Sequence, residues 1–333
     1  MNWTAQSENI RISLQDIGAM LTAGFRIGDR WISPLFIPHW HHQEIEDSFL
    51  QHMKGDFFCV PFGQAGESQL SNPSPRISNP SPRKGSKEDT VLDSYSHGYS
   101  CNGRYTLLEN NENMLRVRLE YPSSAVKYTE REILCRAEDV LITDRIAMVE
   151  DARLPVGIHP IFSLSAQPRQ SILSPPECTQ IESYPFPSEK TSRIVPGQRF
   201  VDLAQAPLLH DQMGDFQCLP TNEHSEELLL LTNVRDGIFS LERRDERYRV
   251  TLRWDREAYR HCMLWISNHG RETVPWDGQN CCLGIEPVTS CFDFGRSVSA
   301  GENPLHREGI DTALDLKAGQ CYEWWHSISV DAL

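Results

Sequence analysis

Two short motifs place an ionisable residue directly before a proline within an apolar run. GIHPIF at residues 157–162 carries His159, and LGIEPVTS at residues 283–290 carries Glu286. Proline disfavours helical backbone for the residue before it and has no N–H for a sheet ladder. Both side chains are therefore expected in extended backbone near a strand end or a strand irregularity. Because an unpartnered buried carboxylate is costly, we expect Glu286 to face a polar cleft or a hydrogen-bonding group.

The chemistry that such a pair supports is proton transfer. A carboxylate and an imidazole can remove one proton and deliver another near neutral pH, each contributing about 10²–10⁴-fold. A histidine that only caps a strand would explain GIHPIF by itself, but two motifs of the same form favour a working site. A third motif, SHGYS, places His97 just ahead of a predicted strand. The sequence has no G-x-G-x-x-G after a strand, no P-loop and no H-E-x-x-H, so no cofactor is predicted.

A cluster of histidines in PHWHHQE, residues 38–44, resembles a metal site at first sight. On a strand, His39 and His41 would share one face and provide two ligands. A structural zinc site takes four ligands and a catalytic one takes three, and no distant partner has suitable spacing. We therefore predict a solvated or cleft-edge loop and no metal.

Alternating apolar residues predict that strands position these groups. RYRVTLRW, residues 247–254, and MLRVRLEY, residues 114–121, each place every second residue on an apolar face. The second of these strands follows RYTLLE and the turn-like ENNEN, which predicts a hairpin. Convincing amphipathic helices are scarce, and 21 prolines and 20 glycines are spread along the chain. The pattern predicts an all-β sandwich or barrel with few short helices.

One segment differs in composition from the rest. SNPSPRI at residues 71–77 is followed at once by SNPSPRK at 78–84. The duplication is rich in proline and serine and has no apolar period, so we predict an exposed loop insertion at about residues 66–90. Strand patterns on both sides indicate one continuous sheet system. We therefore expect residues 1–333 to form a single domain.

The charge balance limits the class of partner. Lys and Arg total 32 and Asp and Glu total 46, a formal net charge of −14. This excess argues against nucleic acid or an anionic membrane as the main partner. We see neither an export signal nor an apolar run long enough to span a bilayer, so we expect the cytoplasm. The ten scattered cysteines form no C-x-x-C pair and are expected to be reduced thiols.

Taken together, the motifs resemble the galactose mutarotase, or aldose 1-epimerase, superfamily. The resemblance rests on GIHPIFSL, the SHG element, LWISNHGRETVPW (264–276), LGIEPVTSCFD (283–293) and the ending L-x-x-G-x-x-x-x-WW-x-I-S-V, and it covers nearly the whole chain. It implies a large twisted antiparallel β-sandwich with a sugar-binding cleft on one sheet. It also implies Glu286 as the general base, His159 as the general acid and His97 as a donor to a sugar oxygen.

The family's other sugar contacts are not placed by the motifs. Members commonly use an arginine shortly before the SHG histidine, and here Arg76 and Arg83 of the duplication are both candidates. For the aspartate that often contacts the sugar, Asp236 in NVRDGIF is the candidate. Trp40 is a further candidate because sugars stack on aromatic faces.

The resemblance therefore predicts an isomerase that interconverts the α and β anomers of an aldose without a cofactor. Three alternatives stay open. The chain could bind carbohydrate without catalysis, since fold does not fix function. It could act on a hexose 6-phosphate, with Arg76 or Arg83 at the phosphate. Glycoside hydrolysis would need a second carboxylate across the cleft from Glu286, and the sequence does not identify one.

Overall fold

The computed structural model describes residues 1–65 and 90–333, and β-strands dominate both ranges. In chain order the strands are β1 (Asn2–Gln6), β2 (Ile10–Gln15), β3 (Leu21–Ile27), β4 (Arg30–Ile32), β5 (Phe58–Cys59), β6 (Thr106–Asn111), β7 (Met114–Glu120), β8 (Val126–Cys135), β9 (Asp139–Met148), β10 (Ala152–Leu154), β11 (Val156–Ile158), β12 (Ile161–Ser163), β13 (Ser171–Ser174), β14 (Gln180–Ser183), β15 (Arg199–Phe200), β16 (Ala206–Leu208), β17 (Gln212–Gly214), β18 (Cys218–Leu219), β19 (Ser225–Thr232), β20 (Ile238–Arg243), β21 (Tyr248–Trp254), β22 (His261–Asn268), β23 (Cys281–Thr289), β24 (Leu314–Leu316) and β25 (Cys321–Ala332). The α-helices are α1 (Ser48–His52), α2 (Thr90–Asp93), α3 (Gly295–Ser299) and α4 (Pro304–Arg307), and single 3₁₀ turns lie at Tyr99–Cys101, Leu203–Gln205 and Leu209–Asp211. The prediction of an all-β chain with few short helices is confirmed.

Two large antiparallel sheets form the sandwich. The first, here called the site sheet, has the order β15-β14-β19-β22-β23-β11-β5, and β12 pairs with β23 beside β11. The second, here called the back sheet, has the order β18-β13-β20-β21-β25-β9-β8-β7-β6. Strands β1 to β4 form a separate meander, and the predicted hairpin is confirmed as β6–β7.

The main hydrophobic core lies between the two sheets. In β21, Val250 and Leu252 are buried in this core, and Leu264 of β22 enters it from the site sheet. Because successive side chains of a strand point to opposite faces, the neighbours of Leu264 point away from this core. Met263 and Trp265 accordingly belong to a second apolar cluster on the other face of the site sheet. This second face carries the candidate site.

A network of buried charges ties the back sheet to the segment before β5. Arg131 of β8 donates to Asp144 Oδ1 and to Asp56 Oδ2, both at 2.7 Å. His326 Nε2 lies 3.2 Å from Asp56 Oδ2. All four side chains are fully buried. The neighbouring arginine and histidine hold the pKa of the Asp56 carboxyl below its usual value despite burial.

The predicted loop insertion falls almost entirely on residues 66–89, which lie outside the described residues, as do Arg76 and Arg83. The single-domain assignment stays a prediction. None of the helices in residues 1–65 and 90–333 is long and apolar enough to cross a bilayer.

Candidate functional site

His159 and Glu286 lie opposite each other on neighbouring antiparallel strands. Gly157 of β11 pairs with Val288 of β23, and Ile161 of β12 pairs with Gly284 of the same strand. The register is unchanged across the gap between β11 and β12, so the residue facing His159 is Glu286. Directly opposed side chains in an antiparallel pair are neighbours. His159 Nε2 is accordingly 3.3 Å from Glu286 Oε1.

Pro160 explains why the strand that carries His159 is divided at this point, whereas Pro287 lies within the uninterrupted β23. Pro160 separates β11 from β12 and has no N–H for the ladder, although its carbonyl accepts from Ile285 N at 3.0 Å. The backbone N–H of His159 points to the segment before β5 and donates to Phe57 O at 2.9 Å. Strand β23 therefore fixes Glu286, and the segment before β5 fixes His159.

His97 joins the pair from a turn outside the sheet. Its ring centroid is 5.2 Å from that of His159, with the ring planes at 80°. Its backbone has φ 58°, which is uncommon for a residue other than glycine. The turn is held by hydrogen bonds from His97 N to Gly63 O at 2.6 Å and from Cys101 Sγ to His97 O at 3.0 Å. Strained backbone of this kind persists only where its surroundings over-determine it, and it concentrates at functional sites.

Several buried polar atoms of this site have no hydrogen-bond partner in the part of the chain that the structure describes. Glu286 is 0% exposed, His159 5% and His97 7%. Within residues 1–65 and 90–333, no hydrogen-bond partner is found for Glu286 Oε1, Glu286 Oε2, His159 Nδ1 or His97 Nδ1. Buried polar groups are nearly always hydrogen-bonded, so four such atoms in one place indicate a site for a polar ligand.

Burial also shifts the protonation of all three groups toward their neutral forms. It raises the pKa of Glu286 well above its usual value, and Asp293 adds to that rise. Burial lowers the pKa of His159 well below 6.5, and His97 lowers it further. The pKa of His97 falls to about 4 for the same reason, although Asp293 opposes that shift. Burial therefore favours a carboxylic acid beside a neutral imidazole in the resting pair.

Aromatic rings surround the two histidines. Phe57 stacks on His159 with centroids 4.6 Å apart and planes at 25°, and Phe49 stacks on His97 at 5.4 Å. Trp265 approaches the His159 ring edge-on at 6.1 Å. Rings of this kind fix the imidazole orientation and exclude water, which strengthens electrostatic interactions in the site.

Solved structures with the same architecture place this geometry in context. A candidate aldose 1-epimerase from Escherichia coli K12 superposes with a TM-score of 0.67 at 16% identity, covering 100% of this chain and 99% of that one. A galactose mutarotase-like protein from Clostridium acetobutylicum gives 0.64 at 12%, covering 99% and 95%. The GalM/aldose epimerase homologue from C. elegans gives 0.62 at 11%, covering both chains fully. The chain has the galactose mutarotase-like fold. No protein-family model and no curated protein sequence matches it.

Within this mutarotase-like fold, the other sequence candidates lie apart from the pair. Asp236 is exposed in the turn between β19 and β20, and the structure does not bring it to His159 and Glu286. Trp40 lies in the second apolar cluster, but it is fully buried and its Nε1 donates to Leu50 O at 3.0 Å. No face of the Trp40 ring is free to stack on a ligand in this conformation.

The histidine-rich segment gives no metal cluster in the described part of the chain. No group of three or more His, Cys, Asp or Glu side chains in residues 1–65 and 90–333 is placed to hold an ion. His41 and His42 instead lie ring to ring, with centroids 3.4 Å apart.

Sequence reasoning missed a second buried carboxylate on the same face of the site sheet. Glu226 of β19 accepts from Trp265 Nε1 at 2.6 Å and from Ser267 Oγ at 2.9 Å, and Arg271 Nη2 is 3.3 Å away. Glu226 therefore holds Trp265 in the orientation that meets His159. The only available signal was an acidic pair at the start of an apolar strand, which normally indicates a solvated strand end.

Proposed function

We propose that this protein is an aldose 1-epimerase that interconverts the α and β anomers of a sugar. In this proposal Glu286 takes the proton of the anomeric hydroxyl and His159 delivers a proton to the ring oxygen. The observation that carries the proposal is a set of four buried polar atoms on Glu286, His159 and His97 that have no hydrogen-bond partner among the described residues. A sugar offers the hydroxyl donors and ring-oxygen acceptor that such atoms need.

The protonation that burial favours in the resting pair fits this reaction. Ring opening needs a carboxylate and an imidazolium, whereas burial favours a carboxylic acid and a neutral imidazole. One proton moving from Glu286 to His159 across the 3.3 Å contact converts the second form into the first without exchange with solvent. A bound sugar's hydroxyl groups favour the charged form by replacing apolar surroundings with hydrogen bonds.

The steps then balance. Glu286 removes the anomeric proton while His159 protonates the ring oxygen, the bond between C1 and the ring oxygen breaks, and an open-chain aldehyde forms. Rotation about C1–C2 exposes the opposite carbonyl face to the ring hydroxyl. The reverse proton transfers close the ring in the other configuration and restore both groups. His97, 5.2 Å from His159 between ring centroids, is assigned to hold a sugar oxygen.

Glu226 is not placed to act as the second carboxylate of a glycoside hydrolase. Glu226 is two strands and four residues away from Glu286 in the site-sheet register. At ordinary strand spacings this offset separates the two backbone positions by about 16 Å. The carboxyl pairs of glycosidases lie roughly 5–9.5 Å apart.

The test is anomer exchange measured by NMR with the purified protein and a panel of free aldoses and their 6-phosphates. Acceleration for one sugar, reduced about 10²–10⁴-fold in Glu286→Gln and in His159→Ala, would support the proposal. Glu8→Gln and His210→Ala are matched controls because both side chains are exposed and remote from the pair.

Other outcomes of this experiment would refute the assignment of the base or support a different function. Full activity in Glu286→Gln would refute its assignment as the base. Sugar binding without acceleration would identify a carbohydrate-binding protein on this fold. Acceleration confined to 6-phosphates, with affinity falling steeply as salt rises, would identify a phosphosugar mutarotase.

A further inference from the structure

Asp293, seven residues after Glu286, is a buried carboxylate with two side-chain partners. It is 7% exposed. Tyr184 donates its hydroxyl to Asp293 Oδ1 at 2.7 Å, and Gln64 Nε2 donates to Oδ2 at 3.1 Å. The backbone carbonyl of Asp293 also accepts a hydrogen bond, from Gln64 N at 2.7 Å. Asp293 thus holds Gln64 at both its main chain and its side chain.

Gln64 in turn holds the turn that carries His97. Ser96 Oγ donates to Gln64 Oε1 at 3.3 Å, and His97 N donates to the carbonyl of the preceding Gly63 at 2.6 Å. Gly63 has φ 106°, and a Cβ added there would come within 2.7 Å of Asp293 O. This close packing fixes the position of residues 63–64 against Asp293. A continuous path of hydrogen bonds therefore runs from Asp293 to His97.

The path joins two parts of the site that are otherwise separate. Glu286 is fixed by β23, whereas His97 lies in a turn outside the sheet. Asp293 follows β23 directly, so the chain that positions Glu286 also positions the far end of the path. The negative charge of Asp293 acts on both Glu286 and His97, because it raises the pKa of each.

We propose that Asp293 is a positioning residue for the epimerase reaction, which through Gln64 sets the His97 ring relative to Glu286 and thereby sets how the sugar is held. This inference rests on the proposed function. It adds a residue that contacts neither reacting proton but positions His97, the residue assigned to hold a sugar oxygen. It also assigns Gln64 as the residue through which Asp293 positions His97.

Asp293 is one of several groups that face Glu286. The others are the His159 imidazole and the thiols of Cys59, Cys262 and Cys282, whose own pKa values Glu286 raises. The thiols are neutral near pH 7, which leaves Asp293 as the negative charge whose removal changes the titration of Glu286. Without that charge the pKa of Glu286 falls, so the carboxylate persists to lower pH.

The test compares Asp293→Asn with Gln64→Ala. In Asp293→Asn we expect KM for the sugar to rise about tenfold while kcat at its optimum changes less than about threefold. We also expect the alkaline limb of the kcat/KM profile, where Glu286 loses the proton of the resting pair, to move to lower pH. Gln64→Ala breaks the path but keeps the charge, so it should raise KM and leave the alkaline limb in place. Asp29→Asn is the matched control, because Asp29 is exposed in the turn between β3 and β4.

A second readout separates this inference from the proposed function. The His97 ring and amide resonances, followed by NMR, should shift in both variants at pH 7, and the ring should titrate at lower pH in Asp293→Asn, whether or not any sugar is turned over. Unchanged His97 resonances in both variants would overturn the inference. So would an unmoved alkaline limb in Asp293→Asn together with an unchanged KM. An inactive wild-type protein whose His97 resonances respond as expected would refute the epimerase proposal alone.

Discussion

Gly284→Ala should disable the site while leaving the strand intact. Gly284 lies two residues before Glu286 on the same face of β23, and the Glu286 carboxyl bends back over it. A Cβ at this position would come within 3.2 Å of Glu286 Cδ and of Trp265 Cβ, and closer still to Glu286 Oε1. Trp265 is held by Glu226, so the Glu286 carboxyl is the group that must move.

The size of the effect follows from that displacement. Restoring ordinary contact distance requires the carboxyl to shift by about 1 Å, and a misplacement of this size costs about 10²-fold in rate. The protein should still fold, with a net stability loss of about 0–2.6 kcal/mol, because Gly284 does not have positive φ. Alanine there lowers the entropy of the unfolded chain by about 0.4–1 kcal/mol, which offsets part of an overpacking cost of about 1–3 kcal/mol.

The assay is anomer exchange together with urea unfolding of the same preparations. Gly24→Ala in β3 is the control, since its added Cβ would meet only the flexible Arg11 side chain and the Trp31 ring. The double variant Gly284→Ala/Glu286→Gln should be no less active than Glu286→Gln, because both changes remove the same group from its place. Wild-type activity in Gly284→Ala, or an additive loss in the double variant, would refute this reasoning.

Two further predictions concern stability. Because burial raises the pKa of Glu286, the folded protein binds this proton more tightly than the unfolded chain, so the stability it contributes is present at low pH and is lost as pH rises toward the folded pKa. The free energy of unfolding of Glu286→Gln should therefore gain on that of the wild type, by up to about 1.4 kcal/mol per pH unit, as pH rises above about 5 in urea unfolding. An equal pH slope in both proteins would contradict this prediction. Arg131→Met removes one partner of the buried network and should cost about 3–5 kcal/mol, whereas the exposed Arg249→Met should stay within about 0.5 kcal/mol. A melting temperature unchanged by Arg131→Met would show that the network contributes little.

Local patterns predicted the strands correctly where one face is buried and the other is solvated. In β7, Leu115, Val117 and Leu119 are buried as their alternation indicates. On the last strand His326 alternates with Trp324 and Ile328 on the buried face, and it lies against Asp56 and Asp144. Periodicity identifies the face of a side chain but not its partner, because the partner comes from a distant part of the chain.

The same distinction applies to the site. The X-Pro motifs indicated His159 and Glu286 because proline restricts its neighbour locally, and this restriction is readable from adjacent residues. Asp293 stood in a quoted motif but had no local signal, since its role depends on Gln64 and Tyr184 more than one hundred residues away. Asp236 was a candidate by residue type alone, and the structure places it in an exposed turn.

What the sequence determined by itself was the fold class, the strand-forming segments and two ionisable residues in extended backbone. These follow from interactions between near neighbours, namely alternating burial and the geometry of proline. Only the tertiary structure decided that β11 and β12 share one register on β23, which places His159 opposite Glu286. Register depends on the packing of whole strands, and a shift of one residue would have turned the two side chains to opposite faces of the sheet.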